Sequence, residues 1–353
     1  MPSQYAGETA LGQALFGETL LGDERRTKRL VATFERLRRH PGGTLPDKLS
    51  SPADLKALYR LCHCEAVTHA VLIAAMRANT LTRIAAHDGP VLVIHDATEL
   101  DYTSLKSLAE QVGQIGNGFY RGYLCHNVLA VAAATGEVLG LLDQILHCRD
   151  EVPDDETLSE LRERDTRESL LWLKGTAHLP ADARLIDVAD QGASTFEFLE
   201  HETNGGRRFV IRNGKTRKVY AGPTAVGPTH YLKPYVQSLP KLGRFTMDVQ
   251  PQKGRRARKA ATFTLRGGPV LVLRPHARCG HHGDAPLPMS VVYVCEEQPP
   301  QGEKPIEWML LTNEPVQTFN DAWRVTSWYE RRWIVEVYQP DYASSARLYQ
   351  RAG

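Results

Sequence analysis

Three acids, a tyrosine and an arginine in this chain have the types and spacing that phosphoryl transfer asks for. The run Val91-Leu92-Val93-Ile94-His95-Asp96 is a short apolar stretch ending in an acid, which reads as a strand buried on both faces. A second run, Arg184-Leu185-Ile186-Asp187-Val188-Ala189-Asp190, ends the same way and is followed by the turn signal Gln191-Gly192. Parallel neighbours lie about 4.8 Å apart, so the carboxyl ends of two such strands would set Asp96 and Asp190 side by side. Two carboxylates in a crevice repel each other. A divalent cation relieves that repulsion and supplies the charge a phosphoryl transition state needs, so the pair asks for Mg²⁺, with Mn²⁺ as a substitute.

A third acid is expected from elsewhere, and Tyr329-x-x-Arg332-x-x-x-Glu336 offers one. At about 100° per residue, these three side chains fall within roughly 60° of one another around a helix. One face would then carry a hydroxyl, a phosphate anchor and a metal ligand. Acids also follow strands as helix caps and turn formers, and a Tyr, an Arg and a Glu on one helical face are ordinary, so the pattern alone leaves both readings open.

The elements that must position these residues follow from periodicity and punctuation. Residues 1–70 read as a small all-α domain, with helices near 8–16, 24–39 and 52–61 separated by Pro41-Gly42-Gly43 and Ser50-Ser51-Pro52. A helix from about Thr68 to Ala86 leads into the strand that carries Asp96. After it come Tyr123 to Ala134 and Glu137 to Leu146, flanking the hairpin signal Thr135-Gly136, and then a short helix at Glu168 to Lys174. Strand, hairpin, helix, strand is the opening of a ribonuclease-H-like α/β fold, here spanning 71–353. Many β-type runs between about 196 and 305 predict a β-rich insertion before the last helix.

The chain has 353 residues, 42% of them hydrophobic, and a formal net charge of +2. A mean hydropathy of −0.35 fits a soluble globular protein of two or three domains. No apolar run approaches the ~18 residues of a membrane span, and no leader pattern opens the sequence, so a cytoplasmic place is expected. The net charge does not announce a nucleic-acid partner, but its distribution does. On a helix from about Asp23, Arg25, Arg29 and Arg36 fall within about 40° of one another, opposite Leu30, Val31, Phe34 and Leu37. Such a basic stripe suits phosphates, although a solvated face has the same composition. A second basic run, Lys253-Gly254-Arg255-Arg256-Ala257-Arg258-Lys259, reads as a loop.

Six cysteines without secretory context predict reduced thiols. The cluster His276, Cys279, His281 and His282 has a spacing that matches no closed Cys/His zinc site. There is no P-loop, no dinucleotide fingerprint and no Gly-x-Ser-x-Gly.

Over almost its whole length the chain resembles the bacterial DDE cut-and-paste transposases of the Tn-five and insertion-sequence-four type. The family's Tyr-x-x-Arg-x-x-x-Glu signature stands as Tyr329-Glu330-Arg331-Arg332-Trp333-Ile334-Val335-Glu336. Trp308 to Val316 resembles the segment before it, Arg207 to Arg212 the strand after the second Asp, and Leu21 to Leu30 with His40 to Pro46 the amino-terminal domain. The resemblance implies a catalytic triad of Asp96, Asp190 and Glu336 holding two Mg²⁺ ions. Tyr329, Arg332 and Arg212 would contact DNA, and Trp308 would stack on a base flipped from the duplex. It implies nicking, hairpin formation, hairpin opening and strand transfer at transposon ends, within a paired homodimeric complex on bacterial nucleoid DNA.

The pattern breaks after Glu336, where the family's basic continuation is replaced by Val337-Tyr338-Gln339-Pro340-Asp341 and a divergent tail, 340–353. Pro340 is expected to stop the helix, and the family's dimerisation region has no counterpart. These features predict a truncated chain of weak activity, and a rival reading is a DNA-binding derivative that occupies transposon ends and inhibits transposition. At the second Asp, the family's Arg-Glu pair is Gln191 and Gly192.

Overall fold

The computed structural model describes residues 9–338, apart from 41, 50, 117, 252–255 and 278. Helices come first: α1 (Thr9–Phe16), α2 (Glu24–Arg39), α3 (Leu45–Leu49), α4 (Pro52–Cys62) and α5 (His69–Ala85). Their starts are set by side-chain caps that accept otherwise orphaned backbone N–H groups: Asp23 for α2, Ser51 followed by Pro52 for α4, and Thr68 for α5. Phe16, Leu21, Leu30 and Leu61 form their buried core, against which Val71 and Leu72 of α5 pack. Phe16 meets Phe34 edge to face at 5.3 Å. The helices near 8–16, 24–39 and 52–61 match the sequence reading; α3 is additional, a single turn too short for periodicity to reveal.

Next come β1 (Val91–Asp101), β2 (Gly113–Ile115), β3 (Tyr120–Ala132), β4 (Val138–His147), α6 (Leu158–Glu163), α7 (Leu171–Thr176), β5 (Leu185–Ala189), α8 (Phe196–Asn204) and β6 (Arg208–Arg212). They are followed by β7 (Lys218–Ala221), β8 (Thr229–Tyr231), α9 (Leu232–Ser238), β9 (Lys241–Val249), β10 (Arg258–Val272), β11 (Leu287–Glu296) and β12 (Glu307–Thr312). Two helices, α10 (Phe319–Glu330) and α11 (Trp333–Tyr338), close the described chain.

All the described strands form one mixed sheet in the order β2-β3-β1-β5-β6-β12-β11-β10-β7-β8, with β4 beside β3 and β9 beside β10. β1, β3 and β4 are antiparallel, whereas β1, β5 and β6 run parallel. The hairpin around Thr135-Gly136 forms as expected. β6, which the sequence places at the start of the insertion region, lies inside the sheet between β5 and β12, and β7 to β11 prolong the same sheet.

Val91 to Ile94 are wholly buried, so β1 is covered on both faces, and period-2 alternation divides it between two cores. Leu92 and Ile94 share a core with Ile186, Val188 and Val210 and with Val325, Trp328 and Val335 of α10 and α11. On the opposite face Val91 and Val93 pack with Val128 and Ala130. Each such side chain contributes about 1.5–3 kcal/mol of burial, which fixes the register of the strands.

Candidate active site

Asp96 does not end its strand as the sequence reading expects; β1 runs on to Asp101 because its second half pairs with β3, from Ala97↔His126 to Asp101↔Gly122. The parallel pairing with β5 does stop there, at His95↔Ala189. Asp96 and Asp190 are therefore each the first residue past the paired segment, on the face of Ile94 and Val188 that looks toward α10 and α11. Asp190 also caps the turn that follows, accepting from Gly192 N at 2.8 Å. The capping role left open by the sequence is thus realised at one of the two acids.

The last signature is not one continuous helix. α10 ends at Glu330, and Arg331 and Arg332 form a turn held by short-range bonds, Arg332 N to Tyr329 O at 3.0 Å and Val335 N to Arg332 O at 3.1 Å. The tether that accompanies the break is Arg331, whose guanidinium donates to Ala134 O at 2.7 Å. Gly136 in that hairpin, at φ 78°, leaves room for it, since a Cβ there would meet the guanidinium at 2.7 Å. Tyr329 is a buried residue, packed edge to face on Trp308 at 5.5 Å, and the break puts it on a different helix from Glu336.

Arg332 sits between two of the acids. Its Nη1 lies 3.3 Å from Asp96 Oδ1, and its Nη2 donates to Glu336 Oε1. Burial opposes its charge, but Tyr329, Asp96 and Glu336 around it hold its pKa above the usual arginine range. Among the described residues no three His, Cys, Asp or Glu side chains converge as a metal cluster in this arrangement, at the acids or at the loop of His276, Cys279, His281 and His282. In that loop His281 instead faces Glu163 at 3.6 Å and His282 packs on Phe196. All six cysteines are free.

Residues to which sequence reasoning gave no role lie beside this site on both faces of the strands. Asn127 pairs with Asp96 across β1 and β3, wholly buried, on the same face. On the reverse face His95 Nε2 is 2.8 Å from Asp187 Oδ1, and Arg207 donates to Asp187 Oδ2 at 2.6 Å. Glu202 completes this buried group, and His126, 3.4 Å from His95, is kept neutral by burial and by His95. For His95, His126, Asn127 and Asp187 the only signal is a polar residue within a strand, which names no partner; Glu202 and Arg207 lie outside the strands and lack even that.

Beside Arg332 opens a cleft of 1010 Å³ whose walls include Arg212, Lys233, Lys304, Trp308 and Trp333. Arg212, Trp308 and Arg332 thus line one cleft, while Tyr329 packs against Trp308. In the helical region Arg25, Arg29 and Arg36 are exposed on α2, but Arg25 pairs with Asp23 and Arg36 with Asp54. A cleft of 740 Å³ runs from α2 to the end of α4, lined by Arg25, Arg26, Arg29, Arg60 and His63. The basic positions Lys253 and Arg255 and the tail 340–353, including Pro340, lie outside the described residues.

Residues 10–67 match the family model described as transposase DNA-binding. The match supports a transposase role for the chain, with DNA as its partner. No described helix is long and apolar enough to cross a membrane.

Proposed function

We propose that this chain is a DDE transposase that cuts and joins DNA at transposon ends, with a ribonuclease-H-like catalytic domain behind its DNA-binding helices. The strand order β4-β3-β1-β5-β6, antiparallel and then parallel, supports that fold. The observation that carries the activity is the meeting of Asp96 and Glu336, far apart in sequence, on one arginine at the point where Asp190 emerges from the neighbouring strand.

Asp96, Asp190 and Glu336 offer only carboxylate oxygens, the donors hard divalent cations take, and the guanidinium lodged between two of them marks a place where positive charge is accommodated. These three would hold Mg²⁺. Bound there, it would neutralise charge on the phosphoryl oxygens and activate a water or a DNA 3′-hydroxyl. Arg212 and Lys304 offer the adjoining cleft positive charge for a DNA backbone, Lys233 being paired with Glu307, and Trp308 and Trp333 offer ring faces to unstacked bases. The α1–α4 region would hold the transposon end.

A binding-only derivative would carry the same amino-terminal domain, so cleavage separates the two readings. DNA bearing the terminal repeats that flank this coding sequence should be nicked in Mg²⁺ by the wild type and not by Asp190→Asn, with both binding it equally. Binding without cleavage in either cation, Mg²⁺ or Mn²⁺, would favour the derivative.

A further inference from the structure

We propose that Arg332 is a built-in competitor of the divalent cation: in the DNA-free chain its guanidinium occupies the space between Asp96 and Glu336 that a cation would take. The inference rests on the divalent-ion reading of these acids and adds an order of events to it. The guanidinium is a planar fork, suited to spanning two carboxylates, and it reaches both. The side chains of Arg332 and Asp96 are 12% and 15% exposed, so little water screens the contact. A cation cannot gather these carboxylates while the fork separates them.

The position of Arg332 allows its release. It belongs to the turn between α10 and α11 rather than to a regular helix, and it lines the tryptophan-walled cleft together with Arg212. A phosphate of DNA entering that cleft offers the fork an alternative anion, and withdrawal toward it frees both acids. Each ligand then favours the other, because the same arginine opposes both the cation and the empty cleft.

The test is Mn²⁺ titration of the full, DNA-free chain by calorimetry, comparing wild type with Arg332→Gln, Arg332→Lys, Arg212→Gln and Asp96→Asn. Arg332→Gln should bind Mn²⁺ about tenfold more tightly. Arg332→Lys keeps the charge but reaches one carboxylate at a time, so it should fall between Arg332→Gln and wild type, and it decides the matter if the glutamine variant does not fold. Arg212→Gln removes a positive charge from the same cleft without touching these acids and should change the affinity less than twofold. Binding that is lost in Asp96→Asn but unchanged in both Arg332 variants would overturn the competitor while leaving the metal site intact. An equal gain in Arg212→Gln would overturn it too, reducing the effect to general charge. No Mn²⁺ binding by any variant would remove the metal site and the competitor together.

Discussion

Asn127 stands directly across from Asp96 in the β1–β3 ladder, and only one end of its amide is engaged: Oδ1 accepts from Gln144 Nε2 at 2.9 Å, while the buried Nδ2 has no hydrogen-bond partner among the described residues. A buried donor of this kind beside an acid is well placed to orient that acid once the site is engaged. Asn127→Ala should cost about 1–3 kcal/mol in urea denaturation, because Gln144 is left without its acceptor. At temperatures where the variant stays folded, cleavage should still fall roughly tenfold, or about 1.4 kcal/mol of transition-state stabilisation. Unchanged cleavage by the folded variant would make Asn127 purely structural.

On the reverse face of the same strands, Glu202 predicts a pH dependence. Burial and the adjacent Asp187 carboxylate raise its pKa well above the usual carboxylate range, against the pull of Arg207. The unfolded chain releases this proton near the ordinary value of 4.5, so stability tied to Glu202 is complete below that pH and declines as pH rises toward the folded pKa. Asp187 behaves oppositely: burial raises its pKa, but His95 and Arg207 prevail and hold it low, so its contribution is lost only in acid. Glu202→Gln should therefore be more stable than wild type at pH 8, by roughly 1 kcal/mol or more, with the gap closing toward pH 5. A pH-independent loss of stability would show that the carboxyl, not its proton, matters.

The amino-terminal cleft separates arginines that are free to meet phosphate from one that is committed. Arg29 and Arg60 have no ion pair among the described residues, whereas Arg36 is held by Asp54. Arg29→Ala and Arg60→Ala should each weaken duplex binding and flatten the slope of log K against log salt by about 0.9, and Arg36→Ala should do less. An Arg36→Ala effect as large as that of Arg29→Ala, with none from Arg60→Ala, would mean that the stripe on α2, and not the cleft, lies along the DNA.

Much of this architecture is legible in the sequence, and the exceptions share a cause. Asp23, Ser51-Pro52 and Thr68 announce their helices because caps are local chemistry. Val91 to Ile94 announce a doubly covered strand because burial is written in consecutive apolar residues. The continuation of β1 through Ala97-Thr98-Glu99 has no apolar run to announce it; pairing with β3 imposes it. The break after Glu330 is equally invisible, since the spacing of Tyr329, Arg332 and Glu336 fits a helix and only the contact of Arg331 with the distant Ala134 accompanies a turn. Arg332 and Glu336 meet as an i,i+4 pair beyond the break, while Tyr329, on the preceding helix, is buried against Trp308.

If Asp96, Asp190 and Glu336 hold the cation that drives DNA cleavage, a softer ligand at each position should change which cation supports it. Asp96→Cys, Asp190→Cys and Glu336→Cys, assayed on the flanking terminal repeats, should each be inactive in Mg²⁺ and regain part of their cleavage in Mn²⁺, which accepts a thiolate where Mg²⁺ does not. Full cleavage by any of the three in Mg²⁺, or a loss that Mn²⁺ restores in none of them, would mean that these acids do not hold the cation.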